Sequence, residues 1–195
     1  MADLPPDTQL PKARIATASL AGCFGCHMAI LDIDERLIDL MSRVEIDRSP
    51  LTDIKQFTQR CDIGIIEGGC CNEENVHVLQ DFRRNCDVLI ALGQCAIMGG
   101  LPAMRNAIMH AEEPLKECLE EAYITGRYIR NKTHHIPNDP ALPLLLDKVY
   151  TCSEVVEIDY TIPGCAPTGD VIYKTLTDLL DGKFQGFERE TIRFD

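Results

Sequence analysis

Four of the ten cysteines in this 195-residue chain sit in three glycine-flanked turns, and each turn directly follows a segment with strand character. The turns read Gly22-Cys23-Phe24-Gly25-Cys26, Gly93-Gln94-Cys95-Ala96 and Pro163-Gly164-Cys165-Ala166-Pro167. This placement constrains the fold, because the loops at the carboxyl ends of parallel strands converge on one edge of an open sheet. Four thiolates gathered there suit one iron–sulfur cluster, whose usual ligand set is four cysteines.

The strand assignment rests on short apolar runs. Residues 15–20 follow a prolyl arm (1–12) and read as the first strand, residues 44–48 as a short second one. Residues 63–66 and 88–92 are nearly continuous apolar runs, the pattern of strands buried on both faces. The first of these ends in Glu67-Gly68-Gly69, and residues 155–160 are expected to be the last strand. Between them, helical spacing marks 27–42, where Met28, Leu31, Leu37, Ile38 and Met41 can share a face. Further helices are expected over 72–85, from Pro102 to about residue 110, and over 169–180. Strand and helix alternating in this way predict right-handed crossovers and an α/β, doubly wound, mostly parallel sheet. The expected organisation is an arm (1–12), one domain (13–182) with an excursion at about 111–150, and a tail (183–195).

Composition narrows the class. The formal net charge of −12 argues against nucleic acid or an anionic membrane surface as the main partner. No apolar run reaches the roughly 20 residues of a membrane helix, and no secretory signal or twin-arginine pair is visible. The cysteines are therefore expected in a reducing compartment, the cytoplasm, where metal binding, catalysis or burial is favoured over disulfides.

Each cysteine carries a competing reading. Cys23 and Cys26 form a Cys-x-x-Cys pair opening a helix, as in thioredoxin-like dithiols, but Gly25 lets backbone approach a bulky inorganic group. Zinc accepts four thiolates too, usually from two close Cys-x-x-Cys pairs, whereas Cys95 and Cys165 stand singly on separate loops. Cys61 and Cys86, at strand starts on the opposite edge, read as small buried hydrophobes, and Cys118 and Cys152 as packing residues. Cys70-Cys71 lies near the functional edge, so ligation by one of them is the competing alternative. Glu67, ending a buried strand, reads either as a polar group holding loops together or as a proton-transfer group. His27 is placed to tune a cluster through a hydrogen bond. His134-His135 lacks nearby acids or thiols and is weak evidence of metal.

With these turns in view, the chain resembles the small subunits of NiFe-hydrogenases. The resemblance rests on the three cysteine turns, on Glu67-Gly68-Gly69 and on Gly99-Gly100, and it runs from about residue 13 to 182. Within that family it is most similar to the short small subunit of the soluble NAD-reducing (bidirectional) branch, through Leu31-Asp32-Ile33-Asp34-Glu35-Arg36-Leu37, Glu73-Glu74-Asn75 and Pro102-Ala103-Met104-Arg105-Asn106. Ala166 departs from the family, which usually has a second proline there.

The resemblance implies a flavodoxin-like fold and a cytoplasmic one-cluster form. It also implies a proximal 4Fe–4S cluster held by Cys23, Cys26, Cys95 and Cys165, with the NiFe centre on a separate large subunit. Electrons would pass on to the iron–sulfur and flavin subunits of an NADH-diaphorase module, in the reaction H2 + NAD+ = NADH + H+, with no catalytic residue on this chain. Two alternatives remain. One is the related cluster subunit of respiratory complex I, which has adjacent cysteines where this chain has the spaced Cys23 and Cys26. The other is FMN bound on this chain, with Thr17 and Ser19 as candidate hydroxyl donors.

Overall fold

The computed structural model describes residues 11–108 and 114–186. The sequence-based arm up to residue 10, the tail from 187 and the end of the helix opened by Pro102 lie outside these residues.

The chain begins with β1 (Ala13–Ser19), followed by α1 (Gly25–Leu31), α2 (Arg36–Arg43), β2 (Val44–Ile46) and β3 (Cys61–Glu67). Next come β4 (Cys70–Asn72), α3 (Glu73–Asn85), β5 (Cys86–Leu92), α4 (Gly93–Met98) and a 3-10 turn at Pro102–Ile108. After α5 (Pro114–Glu120) and a π-helical turn at Glu121–Thr125 come β6 (Leu145–Tyr150), α6 (Cys152–Val155), β7 (Tyr160–Ile162) and α7 (Gly169–Leu180).

Five strands form one wholly parallel sheet in the order β2-β1-β3-β5-β7. Counted within that sheet, the order is 2-1-3-4-5, the flavodoxin-like arrangement, so the expected α/β doubly wound fold is the observed one. The order reverses between β1 and β3, which places the crevice of the fold at the carboxyl ends of those two strands.

Helices cover both faces, which explains the uninterrupted apolar runs. On one face, Ile15, Ile63, Ile65 and Ile90 pack with Ile30 and Ile33 of the α1 region, Leu40 of α2, and Ile172 and Leu176 of α7. On the other, Ala16, Ile66, Leu89 and Ala91 pack with Leu79 and Phe82 of α3 and Ala96 of α4. Asn72 caps α3 by accepting from Asn75 N, with Glu73 and Glu74 in the first turn complementing the helix dipole.

Three expectations are corrected. The helix expected over 27–42 is two helices, broken where Asp34 takes a left-handed φ of 59°. Met28, Leu31 and Ile38 are exposed (Ile38 74%) while Ala29, Ile30, Ile33 and Leu40 face the core, and the break gives α2 a helical phase of its own. The last strand is Tyr160–Ile162, not 155–160, because Thr151 and Glu154 form a capping box that starts a short helix just upstream. The excursion also contains a strand, β6, paired antiparallel with β4 in a second, two-stranded sheet.

At the amino edge of the sheet, buried Asp47 ties β2's exit to β1 and to the following turns. It accepts from Arg14 Nη1 at 2.8 Å, Arg48 N at 2.8 Å and Thr58 N at 3.0 Å, and also from Thr58 Oγ1. Burial pushes its pKa up, but the Thr58 and Arg48 hydrogen bonds and the Arg14 charge outweigh that and hold it below the ordinary aspartate value. A depressed carboxylate contributes stability that is present above the unfolded pKa of about 4 and lost as pH falls through the folded value. Asp47→Asn should therefore be less stable than wild type in urea titrations at pH 7, and the gap should narrow as the pH is lowered towards 3.

Candidate metal centre

The site is assembled at the carboxyl ends of β1, β3, β5 and β7. Beyond Ser19 the chain stays tied to the end of β3: Leu20 N donates to Glu67 O (2.8 Å), and Ala21 and Gly69 exchange backbone hydrogen bonds of 2.9 and 2.8 Å. The approach needs glycine, since at Gly68 (φ +85°) a Cβ would lie 2.8 Å from Ala21 O. Phe24 then takes a left-handed φ of 66° and the chain enters α1, which carries Cys26 in its first turn.

Cys95 sits in α4, entered through Gly93, and Gln94 N donates to Gly164 O (2.9 Å), joining this turn to the one that carries Cys165. Cys95 lies within electrostatic reach of Cys165, Cys23 and Cys26, and Cys26 within reach of Cys23. Burial lifts the Cys26 thiol to about 12, aided by Glu67 and then by Cys95 and Cys23. Burial also raises Cys95, with Cys165, Cys23 and Glu67 adding repulsion against a hydrogen bond from Leu101 N. Cys23 and Cys165 are exposed, while Cys26 and Cys95 are half-buried.

Three of these sulfurs are walled by glycine. A Cβ at Gly93 would lie 2.3 Å from Cys26 Sγ, at Gly100 2.8 Å from Cys95 Sγ, and at Gly25 3.1 Å from Cys23 Sγ. Four thiols in such a cradle, with Cys26 and Cys95 pushed away from ionisation by burial and neighbouring sulfurs, fit an iron–sulfur cluster, because iron supplies the positive charge that makes thiolates stable together. Among the described residues, no three His, Cys, Asp or Glu side chains group tightly enough to hold a single metal ion.

Glu67 is the hub of the edge. It is 2% exposed and accepts from Ser19 Oγ (2.6 Å), Cys26 N (2.9 Å) and His27 N (3.2 Å). His27 Nδ1 stands 3.1 Å from Glu67 Oε1. Burial would raise the Glu67 pKa, yet the hydrogen bonds from His27 and Ser19 hold it below the usual value. The imidazole is fixed in turn, with Nε2 2.9 Å from Thr17 Oγ1, which is 2.8 Å from Ser49 Oγ, and the Phe24 ring stacked on it at 4.7 Å.

Sequence reasoning missed Ser49 altogether. It noted Thr17 and Ser19 only as hydroxyls for FMN, whereas here both are engaged by His27 and Glu67.

The other cysteines lie elsewhere. Cys61 and Cys86 are register partners at the opposite end of β3 and β5, both buried, with thiols lifted by burial to about 11 and about 12. Cys70 is buried in β4, its thiol also lifted by burial to about 12; Cys71 is half-buried, with Sγ 3.3 Å from Asn75 Oδ1. Cys152 is buried against Gly68 O at 3.5 Å. His134 and His135 are exposed on the excursion loop.

A parallel α/β sheet with cysteine turns at its carboxyl edge suits a redox-cluster protein, and comparison with known proteins agrees. The family of the NADH ubiquinone oxidoreductase, 20 Kd subunit, matches residues 23–179, and the chain belongs to it. The NAD-reducing hydrogenase HoxS subunit delta of Cupriavidus necator is 48% identical over 173 residues, 88% of this chain and 80% of that one. One subunit of the F420-non-reducing hydrogenase of Methanococcus voltae is 33% identical over 88% of this chain, which spans 58% of that longer relative. A chain in a crystal structure of NAD+-reducing NiFe-hydrogenase in the H2-reduced state superposes with a TM-score of 0.87 at 50% identity, covering 95% of this chain and 100% of that one.

Two substitutions probe the cradle. Gly93→Ala puts a methyl group into Cys26 Sγ at a positive φ, and should reduce iron and labile sulfide per chain severely. Glu67→Ala leaves two amide donors of the first turn unsatisfied, at about 1–3 kcal/mol each, and should lower both stability and iron retention, with Glu67→Gln milder. Wild-type iron content in either the Gly93 or the Glu67 alanine variant would contradict this account of the edge.

Proposed function

We propose that the chain is the electron-transfer small subunit of a cytoplasmic NAD-reducing NiFe-hydrogenase, with Cys23, Cys26, Cys95 and Cys165 holding one proximal 4Fe–4S cluster. The observation that carries this reading is the convergence of four thiols from three turns on the carboxyl edge of the sheet, against glycine walls. When bound, the cluster supplies one-electron transfer. The protein's own part is to hold the four sulfurs, order the first turn through Glu67, and shield that turn with Phe24 stacked on His27.

The reaction served is H2 + NAD+ = NADH + H+, with the NiFe centre on a large subunit and the flavin and further clusters on the subunits of an NADH-diaphorase module. Surface beside the cluster supports a large-subunit partner: Leu101 (72% exposed) and Met104 (67%) follow α4 directly, and Met98 and Met28 are exposed too. Apolar surface of this kind around exposed thiols marks a protein-covered edge. The cytoplasmic assignment rests on the ten free cysteines. No helix among the described residues is long and apolar enough to cross a membrane.

The complex I reading fits the family match equally well, since that family takes its name from the complex I subunit. The spaced Cys23 and Cys26, and the hydrogenase relatives at 48% and 50% identity, favour the hydrogenase. An additional FMN on this chain is the weaker reading, because Thr17 and Ser19 are already hydrogen-bonded within the protein.

Anaerobically purified chain should contain about four iron and four sulfide per molecule. Cys95→Ala in the assembled complex should abolish hydrogen-dependent NAD+ reduction while leaving NADH–dye reduction by the diaphorase largely intact. Retained hydrogen-dependent activity in that variant would remove Cys95 from the path.

A further inference from the structure

Between Glu121 and Asp139 the chain holds no Asp or Glu, yet carries Arg127, Arg130 and Lys132 together with His134 and His135. With 31 acidic against 19 basic residues overall, this stretch is a local inversion of charge. Its cations also differ from the other described arginines. Arg48, Arg60 and Arg83 each meet a carboxylate at 2.6 Å, and Arg14 meets two. Arg127, Arg130 and Lys132 are exposed and make no ion pair or hydrogen bond with any described residue; Arg127 lies 5.6 Å from the centre of the Tyr128 ring.

The loop is nevertheless built, not loose. Asn131 Nδ2 donates to Tyr123 O (3.0 Å) and His135 O (2.8 Å), Asn131 Oδ1 accepts from Thr133 N and Oγ1, and Ile129 N donates to Gly126 O (2.9 Å). These bonds turn the cations outward, along with Tyr128 at 84% exposure. Tyr123, Ile129, Arg130, Thr133 and His135 also line an open trough of about 950 Å³. A trough this open suits a segment of a protein surface better than an enclosed small ligand, whose sites bury most of its surface.

We propose that the loop centred on Arg127, Arg130 and Lys132 is a docking surface for an acidic segment of a partner protein. The three cations receive its carboxylates, and Tyr128 with Ile129 packs against its side chains. Arg and Tyr are the residue types that concentrate energy at protein interfaces. Nucleic acid fits less well, because three cations neutralise only about three phosphates and binding so founded fades steeply with salt. The net charge of −12 opposes any long polyanion, while a short acidic segment meets only the inverted patch. This surface is independent of the cysteine turns, so the inference stands whether or not the cluster assignment does.

The test uses the purified full-length chain and a fluorescently labelled short Asp- and Glu-rich peptide, read by anisotropy at low ionic strength and at about 0.15 M salt. The charge-reversed variant Arg127→Glu, Arg130→Glu, Lys132→Glu should keep wild-type circular dichroism and metal content, and bind the peptide about tenfold or more weakly. A control reversing Arg60, Arg84 and Lys174 makes the same change in net charge on paired cations elsewhere and should bind like wild type. The proposal fails if wild type does not bind the peptide, or if both variants lose binding equally. It also fails if inorganic phosphate displaces the peptide at similar concentration, or if a single-stranded oligonucleotide binds the same three cations more tightly.

Discussion

A buried carboxylate governs the edge on which the rest of this molecule's chemistry depends. Glu67 ends β3 at the strand-order reversal, and from there it accepts from Ser19 at the end of β1 and from the amides of Cys26 and His27 in the first turn of α1. An ionised group in such a place is costly unless its oxygens are filled with donors. Here they are filled by the segment that must be positioned. The energetic demand of the buried charge and the geometric demand of the thiol turn are thus met by the same hydrogen bonds, and His27, Thr17 and Ser49 extend that order into the core.

The sulfurs themselves are arranged against their own electrostatics. Burial and mutual repulsion push the Cys26 and Cys95 thiols away from ionisation, so the arrangement favours thiolates only when a positively charged inorganic core stands among them. Cys61 and Cys86 meet a similar penalty at the far end of the sheet, but as register partners in β3 and β5, where they pack as apolar residues. The contrast between the two ends is one of surroundings. One end offers separate turns and glycines with positive φ; the other offers strand backbone and the α3 face.

Much of this was legible in the residues. The buried runs in β1, β3 and β5 and the glycine turns after them specified parallel strands and the edge where the cysteines meet. Less was legible where local signals competed. The apolar spacing of residues 27–42 described one helix with Met28, Leu31 and Ile38 on a shared face, but the left-handed turn at Asp34 splits it and these three side chains are exposed. Strand β6 was hidden because its apolar residues fall in two adjacent pairs around Asp147-Lys148, neither alternating nor continuous, and the last strand was displaced by the Thr151–Glu154 capping box, whose Glu154 also meets Lys148 at 2.8 Å.

The amino-acid order alone determined the class of fold and the identity of the four candidate thiols, because period, glycine placement and cysteine spacing are local properties that survive without coordinates. Tertiary structure decided which polar groups serve that edge. Glu67, Ser19, Thr17, Ser49 and His27 are scattered between residues 17 and 67 and carry no shared sequence signal. They become one network only when β1 and β3 lie side by side in the register Ser19 opposite Glu67. A hydrogen bond is set by distance and angle, and neither is written in the sequence until the chain has closed upon itself.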